Sequence, residues 1–209
     1  VALALSATRL AKDKVLLHNM KSIETLARVN VLCVDKTGTI TEDKMSVDKL
    51  ISAKPNSDNT QSVAKLTNDI SDFAAAMPED NATMAAIKSH FTDTSSRKPL
   101  SFTTFSSVDK FSSVTFKEGT YLIGAPEMVL RDQYEDYAND ITPFAEKGYR
   151  VLVFGKYEGT LTDKQLSAPV TPLGFILLSN AIRANAKKTF QYFGQQGVDV
   201  KEIGRASCR

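Results

Sequence analysis

The sequence has no tryptophan, only two cysteines and only two histidines among 209 residues. Two cysteines cannot build a disulfide framework, which excludes a cystine-stapled secreted scaffold. Cys33 sits in the apolar run Val29 to Val34 and is expected to be a small buried hydrophobe; Cys208 lies near the very end. That usage points to a reducing, cytosolic side. His18 and His90 are far apart and share no ligand spacing, so no zinc site is implied. Long hydrophobic runs are missing too. Crossing a bilayer takes about 20 apolar residues, whereas the run Leu173 to Leu178 is broken by Gly174 and ends at Ser179. The opening residues Val1 to Leu5 carry no basic leader, so they do not read as a signal peptide, and the chain is expected to be soluble. An excess of one charge is also lacking. Lys and Arg (26) nearly balance Asp and Glu (24), and the basic residues are spread along the chain, which gives no footprint of a nucleic-acid binder.

What is present suits a globular chain of one large or two small domains. Hydrophobic residues make up 42% and charged ones 24%, enough to bury a real core. Residues 1–29 read as a helix and an irregular approach. Val29 to Val34 reads as a buried strand ending at Asp35, with Thr37-Gly38-Thr39 as a tight turn. Alternation from Met45 to Ile51 suggests a half-exposed strand, and residues 54–61 a loop. Apolar residues at helical spacing predict a helix over Val63 to Met77. A second helix is expected from Ala82 to Phe91 behind an Asp80/Asn81 cap. Leu100 to Phe105, Ser112 to Lys117 and Tyr121 to Gly124 read as a strand meander. A short helix follows Pro126, and Tyr134 to Lys147 is helical in part, with Pro143 limiting one end. Arg150 to Lys156 and Pro172 to Leu178 read as strands, Ile182 to Gln196 as an amphipathic helix stopped at Gly197, and Val198 to Val200 as a further strand. There is no internal repeat. The pattern suggests an α/β domain split by a large α+β insertion, with boundaries near 43 and 172. The small, basic, aperiodic residues 204–209 read as a vector-derived tail.

Asp35 ends a strand, where α/β sheets place ligands. A carboxylate there can attack a phosphoryl group and form an aspartyl-phosphate. Lys36 adds charge beside it, Thr37 to Thr39 offer hydroxyls and backbone groups to phosphate oxygens, and Gly38 lets the backbone come close. Two residues beyond Asp35 stands Thr37, which cannot take a proton at neutral pH, so a covalent intermediate would survive longer than with an acid there.

Asp35-Lys36-Thr37-Gly38-Thr39-Ile40-Thr41, extended by Met45, resembles the phosphorylation motif of the bacterial cation-transporting P-type ATPases; Asp43 stands where that family usually has Asn. The resemblance implies residues 1–42 as the first part of a truncated haloacid-dehalogenase-like phosphorylation domain. It implies 43–172 as an inserted nucleotide-binding domain, an antiparallel sheet with flanking helices, and 173–203 as a partial return. Phe105-Ser106-Ser107 with Lys110 is similar to the family segment in which a Phe stacks on adenine beside a Lys. Without that resemblance, Phe105 reads as strand core and Lys110 as a solvated turn residue. Gly124-Ala125-Pro126-Glu127 matches a family run that normally begins one residue earlier with Lys. Here that residue is Ile123, which implies weaker or differently arranged nucleotide binding. Arg150 matches a position that brings an Arg towards the phosphates. Asn180-Ala181-Ile182-Arg183 resembles the returning Asp-x-x-Arg element, with Arg183 kept as a nucleotide-side residue and Asn180 replacing the acid. Asn81-Ala82-Thr83 resembles a helix opening beside the nucleotide site and reads mainly as a cap.

The resemblance implies ATP and Mg²⁺ as cofactors, with Asp35 and Thr37 as an incomplete magnesium site, since the later magnesium-holding aspartates of the family are not in this sequence. It implies the transmembrane helices, the actuator domain and the rest of the phosphorylation domain as partners at the cytoplasmic face of a membrane. The expectation is a piece that binds nucleotide but does not turn over. A phosphatase of the same superfamily and a non-catalytic interaction module are the alternatives. The transported ion is not readable from this sequence.

Overall fold

Val31–Asp35 forms strand β1, and it pairs in parallel with β8, Asp199–Ile203, so that Asp35 lies opposite Ile203. The computed structural model describes residues 2–19, 21–53, 60–95, 97–159, 161 and 166–203. Most of the expected loop at 54–61 and all of the expected tail at 204–209 therefore lie outside the described residues; Thr60 and Gln61 belong to a helix. The chain divides into two compact units, 1–42 with 182–209, and 43–181.

In the smaller unit, α1 (Ala2–Lys12) and α2 (Lys21–Leu26) precede β1, and α7 (Ala186–Gln195) precedes β8. The alternating strand β1 keeps every second side chain exposed, and β8 is more exposed still. Cys33 is one of the exposed residues, which corrects the expectation of a buried thiol. A two-stranded sheet leaves one face without a covering layer, so strand alternation does not translate into burial here. α7 begins at Ala186 rather than at Ile182 because the chain is still a strand at Ile182.

The larger unit holds one six-stranded antiparallel sheet with the order β2-β7-β6-β5-β4-β3. Its strands are β2 (Thr41–Ser52), β3 (Ser101–Thr103), β4 (Phe111–Phe116), β5 (Gly119–Gly124), β6 (Arg150–Tyr157) and β7 (Val170–Ile182). Residues 173–181, expected in the returning segment, are thus sheet residues, with Phe175 to Leu178 paired to Val153 to Arg150. Both faces of the sheet are covered. On one, α3 (Thr60–Ala76) and α4 (Ala82–His90) bring Ile70, Phe73, Met77, Met84 and Ile87 against Val114, Tyr121, Ile123, Leu152, Phe154 and Ile176. On the other, α5 (Pro126–Leu130) and α6 (Tyr134–Glu146) bring Val129, Leu130 and Ile141 against Phe111, Leu122, Val151, Val153 and Leu177. The period-two alternation of the strands divides these sets. Tyr121 stacks on Phe154 at 5.6 Å, and Phe73 meets Phe154 edge-on at 5.9 Å.

Pro143 sits inside α6 instead of limiting it. A proline there forfeits a backbone bond; the helix carries on because Ile141, Tyr137 and Phe144 pack on the second core.

A partly buried ion-pair network centred on Asp72 closes the first face. Asp72, 2% exposed, accepts from the Ser95 backbone N–H at 2.7 Å, the Ser95 hydroxyl at 2.5 Å and Arg97 Nε at 2.6 Å. Arg97 Nη2 donates to Asp69 at 2.5 Å, and the guanidinium lies 4.8 Å from the Phe116 ring centroid. Burial alone would push the Asp72 carboxyl up. The hydrogen bonds from Ser95 and Arg97 and the Arg97 charge outweigh it and hold the group below its ordinary value. Burial likewise works against the Arg97 charge, and its acidic partners overcome that and raise its affinity for its proton. The network anchors residues 95 and 97 to α3, just ahead of β3.

Candidate functional site

A cavity of about 200 Å³ opens on the α3/α4 side of the sheet, where β5 ends and β6 begins. Its walls are Asn81, Ala82, Thr83, Met84 and Ile87 from α4 and its cap, Phe105 beyond β3, Ser112 of β4, Ile123 and Gly124 of β5, and Arg150 and Leu152 of β6. Ligand sites commonly have such mostly apolar walls with a few polar groups.

Asn81 is the N-cap of α4. Its backbone is extended, and its side-chain oxygen accepts the Met84 N–H at 2.9 Å. This cap directs the start of α4 into the cavity wall. Phe105 stands on a short loop whose shape is fixed locally. The Ser106 hydroxyl accepts the N–H groups of Val108 (3.1 Å) and Asp109 (3.2 Å), and the Ser106 carbonyl accepts the Lys110 N–H at 2.8 Å. Lys110 closes the turn in the left-handed region, φ 55°, and its carbonyl accepts the Ala125 N–H at 3.0 Å. Phe105 keeps 43% of its surface exposed, as a wall open to a planar partner rather than a core residue.

Gly124 has a packing reason to be glycine. A β-carbon there would lie 2.5 Å from Phe111 Cβ, 2.7 Å from the Lys110 carbonyl and 2.8 Å from Val129 Cγ2. Its bare backbone lets β4, the Phe105 loop and α5 meet at one point. Arg150 opens β6 and reaches across to α4, where Nη1 donates to the Thr83 hydroxyl at 3.0 Å. A guanidinium beside a helix N-terminus makes the cavity mouth favourable for an anion.

Of the nucleotide-side residues expected from the sequence, Phe105, Gly124 and Arg150 line this cavity. Ser107 and Lys110 do not; both are exposed, and Lys110 shapes the loop through its backbone. Arg183 belongs to the smaller unit. There its Nε donates to the Thr41 carbonyl and its Nη2 to the Gly38 carbonyl, both at 3.1 Å, and its N–H bonds the Ile40 carbonyl at 2.9 Å. Met84, Ile87 and Leu152 also line the cavity, and nothing in the sequence marks them as site residues. Their three-residue helical spacing and strand alternation mark core, and nothing local distinguishes a cavity wall from core.

The second constellation surrounds Asp35. The carboxylate is exposed at the end of β1 and is followed by a single π-helical turn, Lys36–Ile40. Gly38 takes φ 77°, a backbone that L side chains resist. Thr41, 2% exposed, ties the turn: its hydroxyl accepts the Gly38 N–H at 3.2 Å and donates to the Lys36 carbonyl at 3.3 Å. Lys36 is half-buried and Thr39 exposed, and the Thr37 side chain lies outside the described residues. Among the described residues, no three His, Cys, Asp or Glu side chains gather to hold a metal.

An acidic side chain ending a parallel strand, followed by a hydroxyl-rich turn, and a separate antiparallel unit with its own cavity match the cytoplasmic domains of P-type ATPases in fold. A zinc-transporting PIB-type ATPase superposes with a TM-score of 0.58 at 20% identity, over 90% of this chain and 27% of that one. The relatives are calcium- and cation-transporting P-type ATPases. The calcium-transporting ATPase CtpE of Mycobacterium tuberculosis is 33% identical over 204 residues, which is 97% of this chain and 25% of that protein. The probable cation-transporting ATPase exp7 of Streptococcus pneumoniae is 31% identical over 205 residues, with the same coverage of 97% and 25%. The chain therefore spans about a quarter of the length of these relatives. No family model matches it. Among the described residues, no helix is long and apolar enough to cross a membrane.

Proposed function

We propose that this chain is the ATP-handling part of a cation-transporting pump: the 43–181 unit binds ATP, and Asp35 in the other unit is the phosphoryl acceptor of the intact protein. The observation that carries the reading is the convergence of Phe105, Gly124 and Arg150, distant in sequence, on one cavity. Phe105 offers its face to the adenine ring, the apolar walls exclude water, and Arg150 stands at the mouth for the phosphates. A cavity of about 200 Å³ holds a base but not a whole nucleotide, so sugar and phosphates lie in the mouth.

At the acceptor, an Asp35 oxygen forms a bond to the γ-phosphorus as the bond to the departing ADP oxygen breaks. The turn fixed by Thr41 and Arg183 presents backbone groups next to that carboxylate. Mg²⁺ supplies charge neutralisation in such transfers. On this reading Asp35 and Thr37 supply only part of its site within this stretch of sequence, and the chain alone binds nucleotide without turnover. The partners of this reading are the remaining domains of the pump, including its membrane helices.

The test is an ATP titration of the chain followed by amide NMR shifts. Shifts confined to residues 81–87, 105–112, 123–125 and 150–152 are expected, and Phe105→Ala should weaken binding by about 5- to 150-fold, the worth of one stacked base. No shifts at millimolar ATP would remove the binding claim. Phosphate release or stable labelling of Asp35 by the chain alone would remove the claim of inactivity.

A further inference from the structure

Phe105 has no core packing to hold it. None of the described residues 92–110 belongs to either core, and Leu100, Phe102 and Phe105 are all exposed. Strand β3, which leads into Phe105, is three residues long and lies at the edge of the sheet, where among the described residues it pairs with β4 alone. A stretch with so few buried contacts opens at low cost. The place of Phe105 therefore depends on what holds the chain after it and before it. After it, the Ser106 turn and the bond from Ala125 to the Lys110 carbonyl fix the loop to the head of α5. Before it, the side-chain anchor is the Asp72 network. Ser95 and Arg97 bind α3 through Asp72 and Asp69. The Arg97 guanidinium also lies 4.8 Å from the Phe116 ring centroid of β4 and 5.6 Å from that of Tyr121 in β5. Arg97 thus touches the helix layer and the sheet at once.

We propose, resting on the nucleotide reading above, that Arg97 is a positioning residue of the site: through Asp72 and Asp69 it sets how Phe105 stands against α4, and so how well a base stacks. The opposite wall is carried by the same helix layer, since Met84 and Ile87 of α4 share a core with Ile70 and Phe73 of α3. Pairing of β3 with β4 ties the approach to Phe105 to the sheet, and the Arg97 clamp ties that approach to the helices. The cavity lies between these two layers, so a platform fastened to both keeps its width. Stacking needs a ring at a set separation and offset. A platform free to drift gives up part of the worth of one stacked base, about 5- to 150-fold. Arg97 does not line the cavity, and its Nε and Nη2 are committed to Asp72 and Asp69, so it acts on the ligand through Phe105 rather than by contact.

The experiment titrates ATP into the whole chain, wild type and Arg97→Ala, following amide signals at a temperature where both are folded. Arg97→Ala should weaken binding by about 3- to 10-fold, part of the stacking contribution. Hydrogen exchange should speed up at the Leu100 amide, which donates to the Thr115 carbonyl at 2.8 Å. Signals of residues 84–87 and 150–152 in the free chain should keep their places. Ile176→Val thins the same core away from the clamp and outside the cavity wall, and it should change affinity by less than about twofold. Where Arg97→Ala does not fold, Asp72→Asn carries the test: it keeps the side chain's size, removes its charge, and should weaken binding by more than about twofold. An affinity within twofold of wild type in the folded clamp variant, or an equal loss in Ile176→Val, overturns the proposal while leaving the nucleotide reading intact. If millimolar ATP shifts no wild-type signals around Phe105, the nucleotide reading falls and this inference falls with it.

Discussion

The two units solve the problem of holding a functional group in opposite ways. In the 43–181 unit a six-stranded sheet carries a packed core on each face, and the cavity is a defect in one of those cores. Its walls are held by the surrounding core and do not depend on any one residue. In the other unit only Thr41 and Ala186 are buried among the described residues, while Val31, Leu26, Tyr192 and Ile203 are exposed at 41%, 66%, 58% and 57%. Asp35 there is placed by a handful of backbone ties rather than by a core. On the proposed reading, the nucleotide pocket sits on the well-packed scaffold, while the acceptor carboxylate is placed by strand pairing and local bonds.

The contrast can be broken or sharpened by substitution. The largest effect is expected from Asp35→Asn in a full-length pump containing this segment: acid-stable labelling from γ-labelled ATP should vanish completely. Persistent label would mean that the acceptor lies elsewhere. Next is Asp72→Ala. It removes the carboxylate shared by Ser95 and Arg97, while Arg97, 21% exposed, keeps Asp69; losing hydrogen bonds to a charged group costs about 1–3 kcal/mol, so the urea midpoint of the larger unit should fall. Wild type should also show an acid limb. A carboxyl held below its ordinary value stabilises the fold above the ordinary carboxylate range, near pH 4, and that contribution is lost as pH drops through the depressed value. Asp72→Ala should flatten the limb. The raised Arg97 value adds no loss at neutral or acid pH, because the arginine is protonated in both states there. Equal acid sensitivity with and without Asp72 would show the network to be ornamental.

Smaller effects test the smaller unit. Arg183→Ala removes the ties to the Gly38 and Thr41 carbonyls, worth about 1 kcal/mol locally. Hydrogen exchange at residues 38–41 should speed up several-fold while the larger unit is unchanged. Cys33→Ser, at an exposed position, should move stability by less than about 0.5 kcal/mol. A larger drop would mean the thiol packs against something in solution.

The strands of the larger unit were legible because Phe111 to Phe116 and Arg150 to Tyr157 are short runs rich in β-branched and aromatic residues, buried almost throughout in a sheet covered on both faces. Asn81 was legible as a cap because capping is a local act. The end of β7 was not. Ser179 to Ile182 look polar enough to leave the sheet, yet the Asn180 side chain donates to the Lys44 carbonyl and the Ser179 hydroxyl to Asp48, which hold the strand beside β2. Nor was the Asp72–Arg97 pair, 25 positions apart, since no local pattern links a helix carboxylate to a loop cation. Phe105 and Arg150 were singled out through family resemblance alone; physical reading of isolated residues favours strand core and a surface arginine. Burial misled at Cys33 because alternation reports which face a residue takes, not whether anything covers that face.

The sheet order places β2 directly beside β7. These are the strands through which the chain enters and leaves the larger unit. Its first and last residues consequently emerge side by side at one end of these two neighbouring strands. A unit with that geometry behaves as a cassette: residues 43–181 can be excised and expressed alone, or grafted into another chain at a single surface position, because joining their ends bridges a short gap and stretches nothing.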